Sequence, residues 1–267
     1  TAEYKKFIAI CHELTRREQL PPAETEPREF TELRKQEEKT LSTFFEKKIN
    51  VPPLPPDVTL AKMKKWETQG FKIHYLPAED MGQNKHLQAW TNQPDYTTYL
   101  EASKLPADVM MLKGGWVLVD TRQKPTYDAT DQSQMYQNDI LAPVLEDLRK
   151  KGVIANFKHP SSRFNLSPDE LEKPEVIAAF AKAYGVRPDQ ITIQKEIEFN
   201  VIGNIHHPEW GKDPSNCSEW FGDLYDAGQS RLYGGCSGLG GLSYVGRDPR
   251  DDRRGYIGFR VLVRFSP

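Results

Sequence analysis

Cysteine is scarce in this 267-residue chain: Cys11, Cys217 and Cys236 are the whole complement. Three residues at these spacings make neither a disulfide framework nor a cysteine metal site. They read as thiols in a reducing compartment, by default the cytoplasm, in preference to a Cys217–Cys236 bridge. No apolar run approaches the roughly 18 residues of a membrane span, so membrane insertion is not expected. A net charge of −2 leaves no basic excess, which argues against a nucleic-acid or anionic-membrane binder. P-loop, dinucleotide fingerprint and nucleophile elbow are all missing. No signal peptide is visible, but the chain begins at Thr1, so its start says nothing about targeting.

A more local absence is more informative. Every lysine lies at or before Lys212 and every glutamate at or before Glu219, whereas seven of the 15 arginines fall between Arg231 and Arg264. Glycine, serine, tyrosine, aspartate and arginine dominate that stretch. A glycine-rich irregular region lacks glutamate and methionine for want of helix formers, but it has no reason to favour arginine to the exclusion of lysine. Tyr, Ser, Gly, Asp and Arg are residues that recognition surfaces favour, giving rigid aromatic area and adaptable hydrogen bonding at low entropic cost. A genetic cause fits as well. Randomising both adenines of an asparagine codon (AAC or AAT) reaches every residue except Lys, Glu, Gln, Met and Trp. Residues 221–267 contain none of these five except Gln229.

The remainder shows ordinary periodicities. Tyr4, Phe7, Ile8, Cys11 and Leu14 recur at helical steps up to the break at Pro21-Pro22. A second helix is expected from about Arg28 to Lys48, its charged middle (32–39) a solvated face. The proline-rich run 51–57 reads as a linker or as a strap over a surface. Strands are expected at 71–76, 116–120, 191–194, 197–202 and, with the clearest alternation, 258–265. Helices are expected at 140–150, with Gly152 at its C-terminal end, and at 174–184, stopped by Gly185. Ser167-Pro-Asp-Glu170 is a capping box with proline at the first helical position.

Arg231-Leu-Tyr-Gly-Gly235, the Gly240-Gly-Leu242 step, Ile257-Gly-Phe-Arg260 and the upstream Cys217-Ser-Glu-Trp-Phe221 resemble the C-terminal part of the formylglycine-generating-enzyme type of C-type lectin fold. More closely, 114–265 resembles the variable proteins of diversity-generating retroelements. The matching pieces include Gly-Gly-Trp-Val-Leu-Val-Asp120, Ile197-Glu-Phe-Asn-Val-Ile-Gly-Asn204 and His206-His-Pro-Glu-Trp210. In that family reverse transcription mutagenises adenines and rewrites chosen codons of a C-terminal region.

The resemblance implies an α+β protein: a helical accessory region (1–107), then a C-type-lectin-like domain (108–267) with its variable region at about 217–260. Trp220, Phe221, Leu232, Gly234, Gly235, Gly240, Gly241, Ile257, Gly258 and Phe259 would be framework. The displayed, ligand-binding residues would be Asp223, Tyr225, Asp226, Cys236, Ser237, Leu239, Ser243, Tyr244, Val245, Arg247, Asp248, Arg250, Arg253, Arg254 and Tyr256. The ligand is expected to be a macromolecule, a protein rather than a nucleic acid. No cofactor and no catalysis are expected. The alternative is a catalytically silent relative of the enzymes with a fixed scaffolding role.

Competing chemistry is weaker. His206-His207 beside Glu209 has a metal-like composition, but no third His or Cys stands at ligand spacing, so a structural role is expected and no metal site. Asp251-Asp252 among Arg250, Arg253 and Arg254 reads as an internally neutralised loop. The formylglycine-generating enzymes bind copper through two nearby cysteines, and the comparable region here holds Cys236 alone. One thiol cannot build a two-thiolate site.

Overall fold

The computed structural model describes residues 26–83, 102–212, 216–239 and 241–265; the helix expected around Tyr4 to Leu14 lies outside them. Helix α1 (Arg28–Phe45) is followed by α2 (Leu60–Thr68), strand β1 (Phe71–Asp80) and strand β2 (Met111–Asp120). Next come helices α3 (Ala142–Lys150), α4 (Pro168–Leu171) and α5 (Pro174–Tyr184), strand β3 (Ile191–Ile193) and helix α6 (Glu196–Ile205). The chain closes with β4 (Ser218–Tyr225), β5 (Ser230–Gly234), β6 (Val245–Pro249), β7 (Ile257–Phe259) and β8 (Val261–Phe265). The protein is α+β. No helix among the described residues is long and apolar enough to cross a membrane.

The strands form two four-stranded sheets, ordered β1-β2-β8-β3 and β6-β5-β4-β7. In the first, β2 pairs with β8 from Trp116 opposite Phe265 to Val119 opposite Leu262. The first and last strands of the 114–265 region therefore meet in one sheet. Both faces of this sheet are covered, which is why β2 reads as an unbroken apolar run. Trp116 and Leu118 face a core shared with Trp66, Phe180 and Val263. Val117 and Val119 face a second core with Phe199, Phe221 and Leu262.

The division at residue 107 is not a break in this core. β1 pairs with β2 along nearly its whole length, and α1 contributes Phe30 and Leu41 to the same cluster as β2. The proline-rich run is a strap: Val51 and Leu54 are buried, and the Trp116 indole donates to the carbonyls of Pro52 and Pro53 at 3.1 and 3.2 Å.

Several local expectations hold. Ser167 caps α4 in a complete capping box with Glu170. Gly185 ends α5 in the left-handed conformation (φ 69°), a backbone glycine adopts without a Cβ penalty.

Others need correction. Residues 197–202 are not a strand but the centre of α6, where Ile197, Phe199, Val201 and Ile202 are fully buried. This helix touches β2, β4 and β5 and so buries all its sides. Its buried Glu196, Glu198 and Asn200 alternate with Ile197, Phe199 and Val201 in sequence, which imitates the period of a strand. The expected single strand 258–265 is two strands, with β7 in the second sheet and β8 in the first.

The break between them is Arg260, which is 1% exposed. Its guanidinium donates to Glu219 Oε1 (2.6 Å), the Asp120 carbonyl (2.5 Å) and the Arg122 carbonyl (3.1 Å). Alongside, buried Arg163 bridges Asp120 (2.9 Å) and Asp139 (2.6 Å). Burial alone would push the Asp120 carboxyl up, but Arg163 and Arg122 outweigh it and hold the group at about 2. A paired charge cluster thus joins the two sheets where the chain crosses between them.

Candidate functional site

Among the residues expected to be framework, Trp220, Phe221, Leu232, Ile257 and Phe259 are at most 2% exposed; Gly240 lies outside the described residues. The Trp220 indole donates to the Leu166 carbonyl at 2.9 Å. The Gly-Gly step is dictated by close approach. A Cβ on Gly234 would lie 2.1 Å from the Tyr244 carbonyl, and Gly235 has φ +80° with Phe199 against it. Side chains there would force β5 off β6.

The expected display positions divide into three groups. Leu239, Arg247 and Arg253 are exposed. Asp226, Tyr244, Asp248, Arg250, Arg254 and Tyr256 are half-buried. Asp223, Tyr225, Cys236 and Val245 are buried and do not belong to a displayed surface. The side chains of Ser237 and Ser243 lie outside the described set.

The correction has a physical cause in each case. β4 alternates, so Asp223 and Tyr225 point inward while Leu224 faces out. Asp223 Oδ2 accepts the Glu196 amide at 2.6 Å, anchoring the first turn of α6. Val245 begins β6 beneath Tyr244 and packs in the core with Phe221. Cys217 and Cys236 are both buried and not joined by a disulfide.

Of the remaining positions, Tyr244, Asp248, Arg254 and Tyr256 form a patch beside Tyr233, whereas Arg247, the cross-strand partner of buried Leu232, is on the opposite face of β6 from Asp248. Tyr244 meets Tyr233 edge-on at 6.2 Å, and Tyr256 meets Tyr127 at 6.0 Å. Arg254 bridges Asp248 (3.2 Å) and Asp252 (2.6 Å). Arg247 lies over the Tyr225 ring at 4.9 Å. Burial raises the hydroxyl pKa of Tyr233, Tyr244 and Tyr256 alike, so all three stay neutral donors. The patch offers aromatic faces, hydroxyls and guanidinium groups on rigid strands.

Two of its arginines do other work. Arg250 pairs with Asp169 (2.8 Å) and Glu172 (2.6 Å), and Arg253 makes two 3.0 Å hydrogen bonds to Glu170. The loop is neutralised within itself in part, through Arg254 and Asp252, while Arg250 and Arg253 pair outward with the acids of α4 and the residue after it.

A second constellation was missed in the sequence. Glu37, within the stretch expected to be a solvated face, is buried. Its Oε1 lies 3.1 Å from His74 Nδ1, and its Oε2 accepts the Tyr75 amide at 3.0 Å. His206 stacks on His74 with ring centroids 3.9 Å apart, its Nε2 3.5 Å from Glu37 Oε2. His74 Nε2 lies 3.3 Å from His207 Nε2, and His207 Nδ1 lies 2.9 Å from Glu209 Oε1.

The third histidine that sequence spacing did not supply is thus His74, brought in by β1. Its only sequence signal was a second polar residue, after Lys72, in the strand expected at 71–76. The group lines a cleft of about 590 Å³ that also includes Leu33, Lys72 and Thr121. Burial lowers the pKa of both His74 and His206 to about 3 and raises that of Glu37. The imidazoles are neutral, with lone pairs available.

Compared with known proteins, the chain matches no family model, no curated protein and no solved structure.

Proposed function

We propose that this chain is a ligand-display protein on a C-type-lectin-like domain of the formylglycine-generating-enzyme type. In this reading its C-terminal face is diversified by a retroelement and binds a protein. One observation carries it: the stretch that excludes lysine and glutamate alternates fully buried framework residues with half-buried and exposed tyrosines and arginines. Such a division suits a surface that changes while its support does not. Exposed substitutions typically shift stability by about 0.5 kcal/mol or less, whereas truncating a buried aromatic costs roughly 3–5 kcal/mol.

The displayed set is Tyr244, Asp248, Arg254 and Tyr256 on one face of the sheet and Arg247 on the other, together with Asp226 and Leu239, with Arg250 and Arg253 at its braced edge. A neutral aromatic and guanidinium surface with interspersed aspartates suits a protein partner better than a nucleic acid. Sequencing the DNA around the coding region tests the reading. A near-identical repeat differing mainly at adenines, beside a reverse transcriptase gene, is the expected result. Its absence would leave the alternative, a fixed and catalytically silent scaffold.

A further inference from the structure

We propose that Glu37, His74 and His206 bind a divalent transition-metal ion, zinc being the best match. The ligand atoms are one carboxylate oxygen, His74 Nδ1 and His206 Nε2, with a fourth position open to the cleft.

The geometry comes first. One ligand atom from each residue lies within 4.8 Å of the others. Glu37 Oε1 sits 3.1 Å from His74 Nδ1 and Oε2 sits 3.5 Å from His206 Nε2. Ligands on a tetrahedral zinc, at bonds of about 2.0–2.1 Å, stand roughly 3.3 Å apart. The two measured spacings, one from each carboxylate oxygen, are of that order, and the His74 and His206 rings, stacked at 3.9 Å, splay apart for both nitrogens to share the ion. Two histidines and a glutamate with one open position are a ligand set that zinc uses.

Hydrogen-bond accounting gives the second, independent argument. His206 Nε2 is buried and has no hydrogen-bond partner, which is costly for a polar atom inside a protein. The chain from Glu37 through His74 and His207 to Glu209 contains three close contacts, each needing one hydrogen. Two neutral imidazoles supply only two. A metal ion at Glu37, His74 Nδ1 and His206 Nε2 closes both gaps. It takes up the orphaned nitrogen and replaces the missing hydrogen between Glu37 and His74.

The two imidazole protons then fall where they are needed: His74 Nε2–H donates to His207 Nε2, and His207 Nδ1–H donates to Glu209. A ligating histidine whose second nitrogen is fixed by such a relay is the usual outer shell of a zinc site. The ligands come from α1, β1 and the turn after α6, so the ion also fastens α1 onto the sheet.

The test uses the whole chain, stripped with a chelator, dialysed against zinc and passed through gel filtration before elemental analysis. One zinc per chain is expected, and cobalt(II) in its place should give the visible absorption of a tetrahedral site. His74→Ala, His206→Ala and Glu37→Gln should each retain less than about a tenth of the zinc, whereas His159→Ala retains all of it. His207→Gln should bind about 10–100-fold more weakly, as expected of an outer-shell partner. Stoichiometric zinc that survives the His74 and His206 substitutions overturns the proposal. So does a wild-type chain that holds no zinc and gives no tetrahedral cobalt spectrum, a readout that does not depend on any variant folding.

Discussion

Replacing Arg260 with methionine should be among the most damaging single changes to this protein. The side chain is 1% exposed and makes three hydrogen bonds, to Glu219 and to the carbonyls of Asp120 and Arg122. Methionine is close in volume and leaves little cavity, so the loss is electrostatic. The Glu219 carboxylate, itself 1% exposed, would retain the Tyr136 hydroxyl at 2.6 Å as a donor but, among the described residues, no ion-pair partner. Removing one member of a buried pair costs about 3–5 kcal/mol, which for a domain of this size lowers the melting temperature by roughly 6–20 °C.

Urea unfolding followed by tryptophan fluorescence measures the loss. The pairing argument makes a sharper demand: Glu219→Gln added to Arg260→Met should restore at least about 1 kcal/mol, because neighbours in one network are not additive. A loss under about 1 kcal/mol for Arg260→Met, or strict additivity in the double variant, would refute the reasoning.

Stability should also fall as pH rises from about 4 to 6. Burial raises the Asp223 carboxyl from 3.8 to about 6; below 3.8 both folded and unfolded states hold the proton, and above it the unfolded state ionises first. The full loss is about 3 kcal/mol, and Asp223→Asn should flatten this part of a stability–pH profile. Burial shifts Glu196 in the same direction, so a residual slope in that variant belongs to Glu196. Gly234→Ala should cost about 1–3 kcal/mol by overpacking, measured in the same urea titration, because its methyl would meet the Tyr244 carbonyl. Arg253→Asn should cost only about 1 kcal/mol despite its two bonds to Glu170, since the guanidinium is 40% exposed and screened.

The elements legible in the sequence were those whose local signals agreed with their environment. The Ser167 capping box, the Gly185 stop and the β2 and β8 strands all formed where their residues called for them. Helix α6 was illegible because its buried Glu196, Glu198 and Asn200 alternate with apolar residues as a strand's would. The Arg260 break was hidden because β7 and β8 preserve strand alternation across a change of sheet. In the candidate surface, composition marked the right segment but could not say which way each side chain points. Asp223, Tyr225 and Val245 carry the favoured residue types yet face inward. The histidine cluster was out of reach for a different reason: His74 and His207 are 133 residues apart, and they meet through the pairing of β1 with β2 and the packing of α6 against β2.

The account rests on a surface that can be rewritten without disturbing its support, and one measurement tests that directly. Leu239, Tyr244 and Arg247 are replaced together by asparagine, and the unfolding midpoint is compared with that of the parent chain. Leu239 is 49% exposed, Arg247 is exposed and Tyr244 half-buried, so their combined loss should stay below about 1.5 kcal/mol. A single framework change, Trp220→Ala, should cost roughly 3–5 kcal/mol in the same assay. If the triple variant unfolds as readily as the Trp220 variant, the face is part of the scaffold and the display function is wrong.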